Sequence, residues 1–100
     1  MAFANAGHLG SVPGKRNDLV ALLTRRSAVL TDAGCLLYEV GINEDDPDKV
    51  FVVELWTSAD AHAGSLALPE VRESIAAARP LMSGDFGGFR FDVVGSPLRD

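Results

Sequence analysis

The run Val50-Phe51-Val52-Val53-Glu54-Leu55-Trp56 limits what this chain can become. It is short, β-branched and aromatic, and it carries a single carboxylate. That pattern predicts a central strand covered on both faces rather than a helix. Alternation puts Val50, Val52, Glu54 and Trp56 on one face and Phe51, Val53 and Leu55 on the other. Glu54 is the anomaly. A carboxylate inside such a strand needs donors from a neighbouring strand, or it must open onto a wet cavity. Thr57-Ser58 follows, with Thr57-x-x-Asp60 in the form of a loose capping box, and a short helix is expected over Ser58–Leu66.

The flanking segments supply partners for that strand. Phe3–Val12 is a strand candidate built from small residues. Phe3, Asn5, Gly7, Leu9 and Ser11 share one face, and Ala4, Ala6, His8 and Gly10 share the other. Glycines weaken a strand unless a helix, a partner subunit or a ligand approaches its backbone closely. Lys15–Asp32 reads as one helix, with Leu19, Leu22, Leu23 and Leu30 as its apolar stripe. Asn17 or Gly14 would cap its start and Gly34 would stop it. Cys35–Asn43 is a second strand that places Leu36, Tyr38, Val40 and Ile42 on one face. Glu44–Asp48 is an acidic turn, most simply a hairpin into the central strand. Pro69 opens a further helix, Pro69–Arg79, with Val71, Ile75 and Ala78 as a narrow stripe. Ser83–Gly88 reads as a flexible turn and Phe89–Val94 as the last strand.

The order β-α-β-β-α-β is the split βαβ, or ferredoxin-like, plan: an α+β fold with a four-stranded antiparallel sheet and helices on one face. The domain runs over residues 3–94, with a C-terminal tail over 95–100. Both strand faces carry apolar residues, so the open face is expected to meet a second copy in a homodimer whose sheets close toward a barrel.

At 100 residues the chain is one domain, and its 47% apolar content is enough for a core. It holds no run of eighteen apolar residues and no secretory leader pattern, so no membrane partner is expected. The net charge of −5, with no basic patch, argues against nucleic acid and anionic lipid. A lone Cys35 fits a reducing cytoplasm. The acidic, Ala- and Gly-rich make-up suits a bacterial source. CxxC, HExxH, P-loop and GxGxxG motifs are all missing, so metal hydrolysis and nucleotide chemistry have no support. The acidic turn lacks EF-hand spacing.

Three motifs resemble the antibiotic biosynthesis monooxygenase family: Pro13-Gly14-Lys15 opening the first helix, Ala33-Gly34-Cys35-Leu36-Leu37-Tyr38-Glu39, and Val53-Glu54-Leu55-Trp56-Thr57-Ser58 followed by Asp60-Ala61. The likeness runs from about residue 3 to residue 94. It implies a dimeric α+β barrel with a pocket between sheet and helices in each subunit. It also implies a cofactor-independent monooxygenase that uses O₂ on a small aromatic substrate, a quinol or polycyclic phenol, with no metal. The substrate anion itself reduces O₂ there, and the protein binds, orients and stabilises it. Some members degrade haem, but the positions matching their residues are Gly7 for the first-strand Asn and Ser65 for the short-helix Trp. Pro69–Arg79 contains no His. The resemblance therefore does not extend to haem degradation. Many relatives carry a His at the position of Ser65, whereas this chain has His62 three residues earlier.

Asn5 and Trp56 are the catalytic candidates. The Asn5 amide can hold a phenolate or superoxide oxygen, and Trp56 can stack on a planar ring; a hydrogen-bonded strand Asn and a core Trp are the competing explanations. Gly7, Tyr38, His62, Ser65 and Arg90 are candidate pocket residues, Tyr38 and Arg90 as anchors for a substrate oxygen. His8 is a general base or a dimer-face residue. Cys35 is a small buried hydrophobe. The alternative function is a non-catalytic ligand-binding or structural dimer on the same fold.

Overall fold

A computed structural model describes residues 1–99. The elements are β1 (Phe3–Ser11), α1 (Arg16–Leu23), α2 (Ala28–Asp32), β2 (Cys35–Gly41), β3 (Lys49–Trp56), α3 (Ala59–Ser65), α4 (Pro69–Ala78), a 3₁₀ turn (Arg79–Leu81) and β4 (Met82–Asp92). The four strands form one antiparallel sheet in the order β2-β3-β1-β4. This is the ferredoxin-like α+β plan, with an open sheet and the helices on one face. The apolar run at Val50 is an interior strand, as its composition requires.

The core sits at one end of the helix-covered face. Leu19 of α1, Val50 of β3 and Ala78 of α4 are buried together, with Leu9, Val20, Leu22, Leu23, Val40, Leu81 and Met82 around them. On β3 the face of Val50, Glu54 and Trp56 is buried, but Val53 on the other face is exposed. The expectation of burial on both faces therefore holds for one face only within a single chain.

The predicted single helix over 15–32 is two helices. Thr24-Arg25-Arg26-Ser27 offers no apolar side chain to bury and sets two like charges side by side, so nothing holds a continuous turn there. Thr24 closes α1 by donating its hydroxyl to the Val20 carbonyl at 2.8 Å. Ser27 is extended and donates to Glu70 of α4 at 3.0 Å. Lys15, not Asn17 or Gly14, holds the N-cap position of α1, and no side chain caps it. The cap of α3 is Ser58 rather than Thr57: its hydroxyl accepts from the Ala61 amide at 3.0 Å. Gly34 does stop α2, with φ of 105°. The acidic segment is the hairpin turn, in which Asn43 accepts from the Asp45 amide at 2.9 Å. Ile75 of α4 is exposed, so Ala78 carries the buried end of that helix's stripe.

Strand β4 begins at Met82, so the predicted flexible turn at Ser83–Gly88 is strand. Glycine propensity loses here to pairing with β1, which runs alongside from Leu9↔Phe86 to Phe3↔Asp92. The two strands approach so closely at Gly7 and Gly88 that a Cβ on Gly7 would collide with the Gly87 carbonyl oxygen and sit 2.9 Å from the Gly88 Cα. The body that needs the small residues of β1 is therefore the backbone of β4. A register shift between Cys35 and Leu37 sets Cys35 opposite Trp56 and leaves Leu36 unpaired and exposed, so Leu36 does not share the face of Tyr38 as simple alternation predicts. The tail is described to Arg99; Asp100 lies outside the described residues.

This close approach predicts that Gly7→Ala destabilises the fold by about 1–3 kcal/mol, the usual cost of overpacking. The urea midpoint should fall with little change in slope. An unchanged midpoint would mean that β4 does not lie this close to β1.

Candidate functional site

The register places four polar side chains in one row across the helix-covered face. Arg90 of β4 is opposite Asn5 of β1, Asn5 is opposite Glu54 of β3, and Glu54 is opposite Tyr38 of β2. The row spans three inter-strand steps, about 14 Å. On one side of it lies the row Gly88, Gly7, Val52 and Val40. On the other lies Asp92, Phe3, Trp56 and Cys35. The polar row thus stands between a low, glycine-bearing floor and an aromatic wall.

Glu54 is buried at 8% exposure, and both of its oxygens are engaged. Asn5 Nδ2 donates to Oε2 at 3.0 Å and Trp56 Nε1 donates to Oε1 at 3.1 Å. The donors that a carboxylate in this strand needs are thus on the neighbouring strand and two residues along its own. Trp56 is 1% exposed, which leaves no ring face open for a substrate to stack on. The edge of His62 meets Trp56 at 5.3 Å between ring centroids, and Phe3 lies 5.4 Å from the same imidazole. His62 is accordingly half-buried in an aromatic cluster beneath α3 and is not a surface residue. Ser65 is buried and spends its hydroxyl on the His62 carbonyl at 2.6 Å. Gly7 does not open space for a ligand, because the β4 backbone fills it.

Three groups of the row keep unused polar capacity. Asn5 is half-buried, with one amide N–H and its Oδ1 uncommitted among the described residues. Tyr38 is half-buried and its hydroxyl has no hydrogen-bond partner among the described residues. Burial, with Glu54 and then Cys35 adding to it, pushes the Tyr38 phenol up to about 12, so it is a neutral donor at physiological pH. Arg90 is exposed and makes no ion pair among the described residues, neither with Asp92 nor elsewhere. Burial also raises the Cys35 thiol, which a backbone hydrogen bond with Leu37 only partly offsets, so it is not an activated nucleophile. His8 is on the opposite face of the sheet, 3.4 Å from Asp85. Sequence reasoning flagged Glu54 as an anomaly but gave it no place among the site residues. The signal was its position in the apolar run.

Two open depressions lie outside the row. One of about 380 Å³ separates α2 from α3, between Val29, Asp32, Ala33, Ala61 and Leu68. The other, of about 340 Å³, lies at the far end of the sheet beside Ser11, Asp46, Asp48 and Asp85. No cluster of His, Cys, Asp or Glu is arranged to hold a metal among the described residues. No helix among them is long and apolar enough to cross a membrane.

A family model of antibiotic biosynthesis monooxygenases matches residues 7–77. The chain belongs to the antibiotic biosynthesis monooxygenase family. Among solved structures it is similar to a protein assigned to that family from Chloroflexus aurantiacus J-10-fl, at 32% identity over 96% of each chain with a TM-score of 0.82. One from Deinococcus radiodurans is 25% identical, covering 96% of this chain and 95% of its own, with a TM-score of 0.74. SnoaB, a cofactor-independent oxygenase from Streptomyces nogalater, shares the fold at 15% identity over 98% of each chain with a TM-score of 0.78. No functionally curated protein matches the chain. Family and neighbours together support a monooxygenase-like function.

The raised Tyr38 phenol has a readable consequence. Its folded value, about 12, exceeds the usual value of 10.0. The folded state therefore holds the proton more tightly, and this contribution to stability is complete below pH 10 and is lost as pH rises toward 12. Tyr38 is the only tyrosine. Absorbance of the tyrosinate should therefore appear late in an alkaline titration of the folded protein. Tyr38→Phe should remove that absorbance and flatten the alkaline fall in stability.

Proposed function

We propose that this protein is a cofactor-independent monooxygenase that uses O₂ on a quinol or polycyclic phenol. The observation that carries the reading is the row Arg90–Asn5–Glu54–Tyr38 on the sheet face beneath the helices of this family's fold. The cofactor-independent oxygenase SnoaB, on the same fold, supports it. The Arg90 guanidinium stabilises the substrate's oxyanion, the free edge of the Asn5 amide meets a protonated oxygen of the substrate or of its hydroperoxide, and the neutral Tyr38 hydroxyl donates to a second substrate oxygen. Glu54 repels an anion, so the oxyanion sits on the Arg90 side of Asn5.

The substrate class is a phenol that tautomerises to a ring CH₂. The deprotonated substrate passes one electron to O₂, giving a substrate radical and superoxide. These join in a C–O bond, and the resulting peroxide takes up a proton. Its O–O bond breaks as the carbon loses its second hydrogen, leaving C=O and water. The substrate supplies every electron, so one oxygen atom enters the product and the other leaves as water.

The open sheet face supports the homodimer. Phe89 is 66%, Phe91 49%, Val53 42% and Leu37 40% exposed, and the Phe89 and Phe91 rings stack 6.2 Å apart. Such a face on a chain of this size is best covered by its own copy, closing two sheets toward a barrel. The half-buried free thiol suits a cytoplasmic protein. Phe89→Glu should convert the dimer to monomer in light scattering at micromolar concentration, and a monodisperse monomer of the unaltered protein would reject the dimer.

Oxygen uptake by the metal-stripped protein against naphthohydroquinones, anthrones and flavonols, with autoxidation subtracted, tests the activity. Isotopically labelled O₂ should place one labelled atom in product and one in water. Asn5→Ala should lower turnover by about tenfold, as for loss of one hydrogen bond to the substrate. The engagement of Asn5 and Trp56 with Glu54 favours a second reading, a non-catalytic ligand-binding dimer. Tight aromatic binding without oxygen uptake across the panel would select it.

A further inference from the structure

We infer that Glu54 is a positioning residue that fixes the Asn5 amide in one orientation. It thereby sets the polarity of the group that the site accepts beside Asn5: a hydroxyl that can both accept and donate. The functional side of this inference rests on the oxygenase reading; the orientation itself does not.

Indole N–H is a donor only, and it occupies Oε1 of Glu54 at 3.1 Å. An ionised carboxylate is an acceptor only, so the amide group that meets Oε2 at 3.0 Å must be the nitrogen. The Asn5 amide therefore cannot turn over while Glu54 is ionised. Its remaining edge carries one N–H and Oδ1, a donor and an acceptor side by side. An ether offers no donor to that edge, and a carboxylate would set its oxygen against Oδ1. A phenolic or hydroperoxide oxygen satisfies both atoms, accepting from Nδ2 and donating its proton to Oδ1.

The same geometry argues against Glu54 as the base that takes the substrate's proton. Both of its oxygens already accept N–H bonds, its exposure is 8%, and protonating it would break the contact with Asn5 or with Trp56. It acts through Asn5 rather than on the substrate. The arrangement also explains why a buried Trp is paired with a carboxylate: the indole holds Glu54 in the rotamer that reaches across to β1.

Exchanging the polarity of the pair separates positioning from simple bracing. Glu54→Gln leaves one oxygen to accept from Trp56 and puts an amide N–H toward Asn5, which can meet it only by turning its Oδ1 inward and its N–H groups outward. In Glu54→Gln combined with Asn5→Asp, the Gln oxygen accepts from Trp56 and its nitrogen donates to the new carboxylate. Net charge and hydrogen-bond count are restored, but the free edge of the new carboxylate holds acceptors only. Trp56 is the only Trp, so its indole N–H gives one unambiguous amide-region NMR signal.

In the unaltered protein one Asn5 amide proton should be protected from exchange and the other free. Glu54→Gln should shift the indole signal, lower the melting temperature and reduce turnover at least about tenfold, the scale of one charge-assisted hydrogen bond. The double variant should regain the melting temperature and the indole signal while turnover stays down. Anaerobic binding of a naphthohydroquinone, followed by Trp56 emission, should weaken alongside it.

Recovery of turnover with stability in the double variant would overturn the inference, reducing Glu54 to a brace. So would equal exchange of the two Asn5 amide protons, which needs no substrate. If the unaltered protein binds the naphthohydroquinone but consumes no oxygen, the oxygenase reading fails. The orientation of Asn5 is then still decided by the exchange and binding measurements.

Discussion

A carboxylate buried in a strand interior must be answered by donors, and in this protein two are in reach. Asn5 crosses from the neighbouring strand and Trp56 folds back from two residues along. Removing either leaves a charged acceptor short of a partner in a dry setting, at a cost well above that of an ordinary hydrogen bond. The register of β1 against β3 is the one that brings Asn5 opposite Glu54. A one-residue slip would send Asn5 to the other face and leave the carboxylate unanswered. The apolar pattern favours the same register, since it also brings Leu9 opposite Val50 in the core.

That register divides the helix-covered face into two halves. At the Val50 end, α1 and α4 close over aliphatic side chains and the interior is packed. At the Trp56 end, His62 of α3 packs on the Phe3 and Trp56 rings of the sheet. Between them runs the polar row, which passes from a buried carboxylate to an exposed guanidinium. The glycines beside it serve the close approach of β4 rather than a ligand. Polar capacity on a preformed sheet is what a chemistry without cofactors asks of a protein, because the protein's part is binding, orientation and charge stabilisation.

Three side chains that look functional in isolation prove to be occupied. Trp56 spends its N–H on Glu54 and its ring on packing, Ser65 spends its hydroxyl on a backbone carbonyl, and His62 is wedged between rings. Tyr38, Arg90 and one edge of Asn5 remain available. These three groups stand in one row across the sheet, and Glu54 bonds one of them, Asn5.

The sequence by itself determined the element order, the interior place of the Val50–Trp56 run, the hairpin after β2, the stop at Gly34 and the family. These follow from periodicity, turn chemistry and motif spacing, all of which are local. It also marked Glu54 as the residue needing an explanation and Asn5 as a residue out of place in a strand. What only the tertiary structure decided is non-local. The strand over Met82–Asp92 exists because β1 pairs with a segment whose glycines alone predict a turn. The break at Thr24–Ser27 reflects the absence of anything for those side chains to pack against. The union of Arg90, Asn5, Glu54 and Tyr38 depends on three separate strand registers, and a list of polar residues along one chain does not contain those registers.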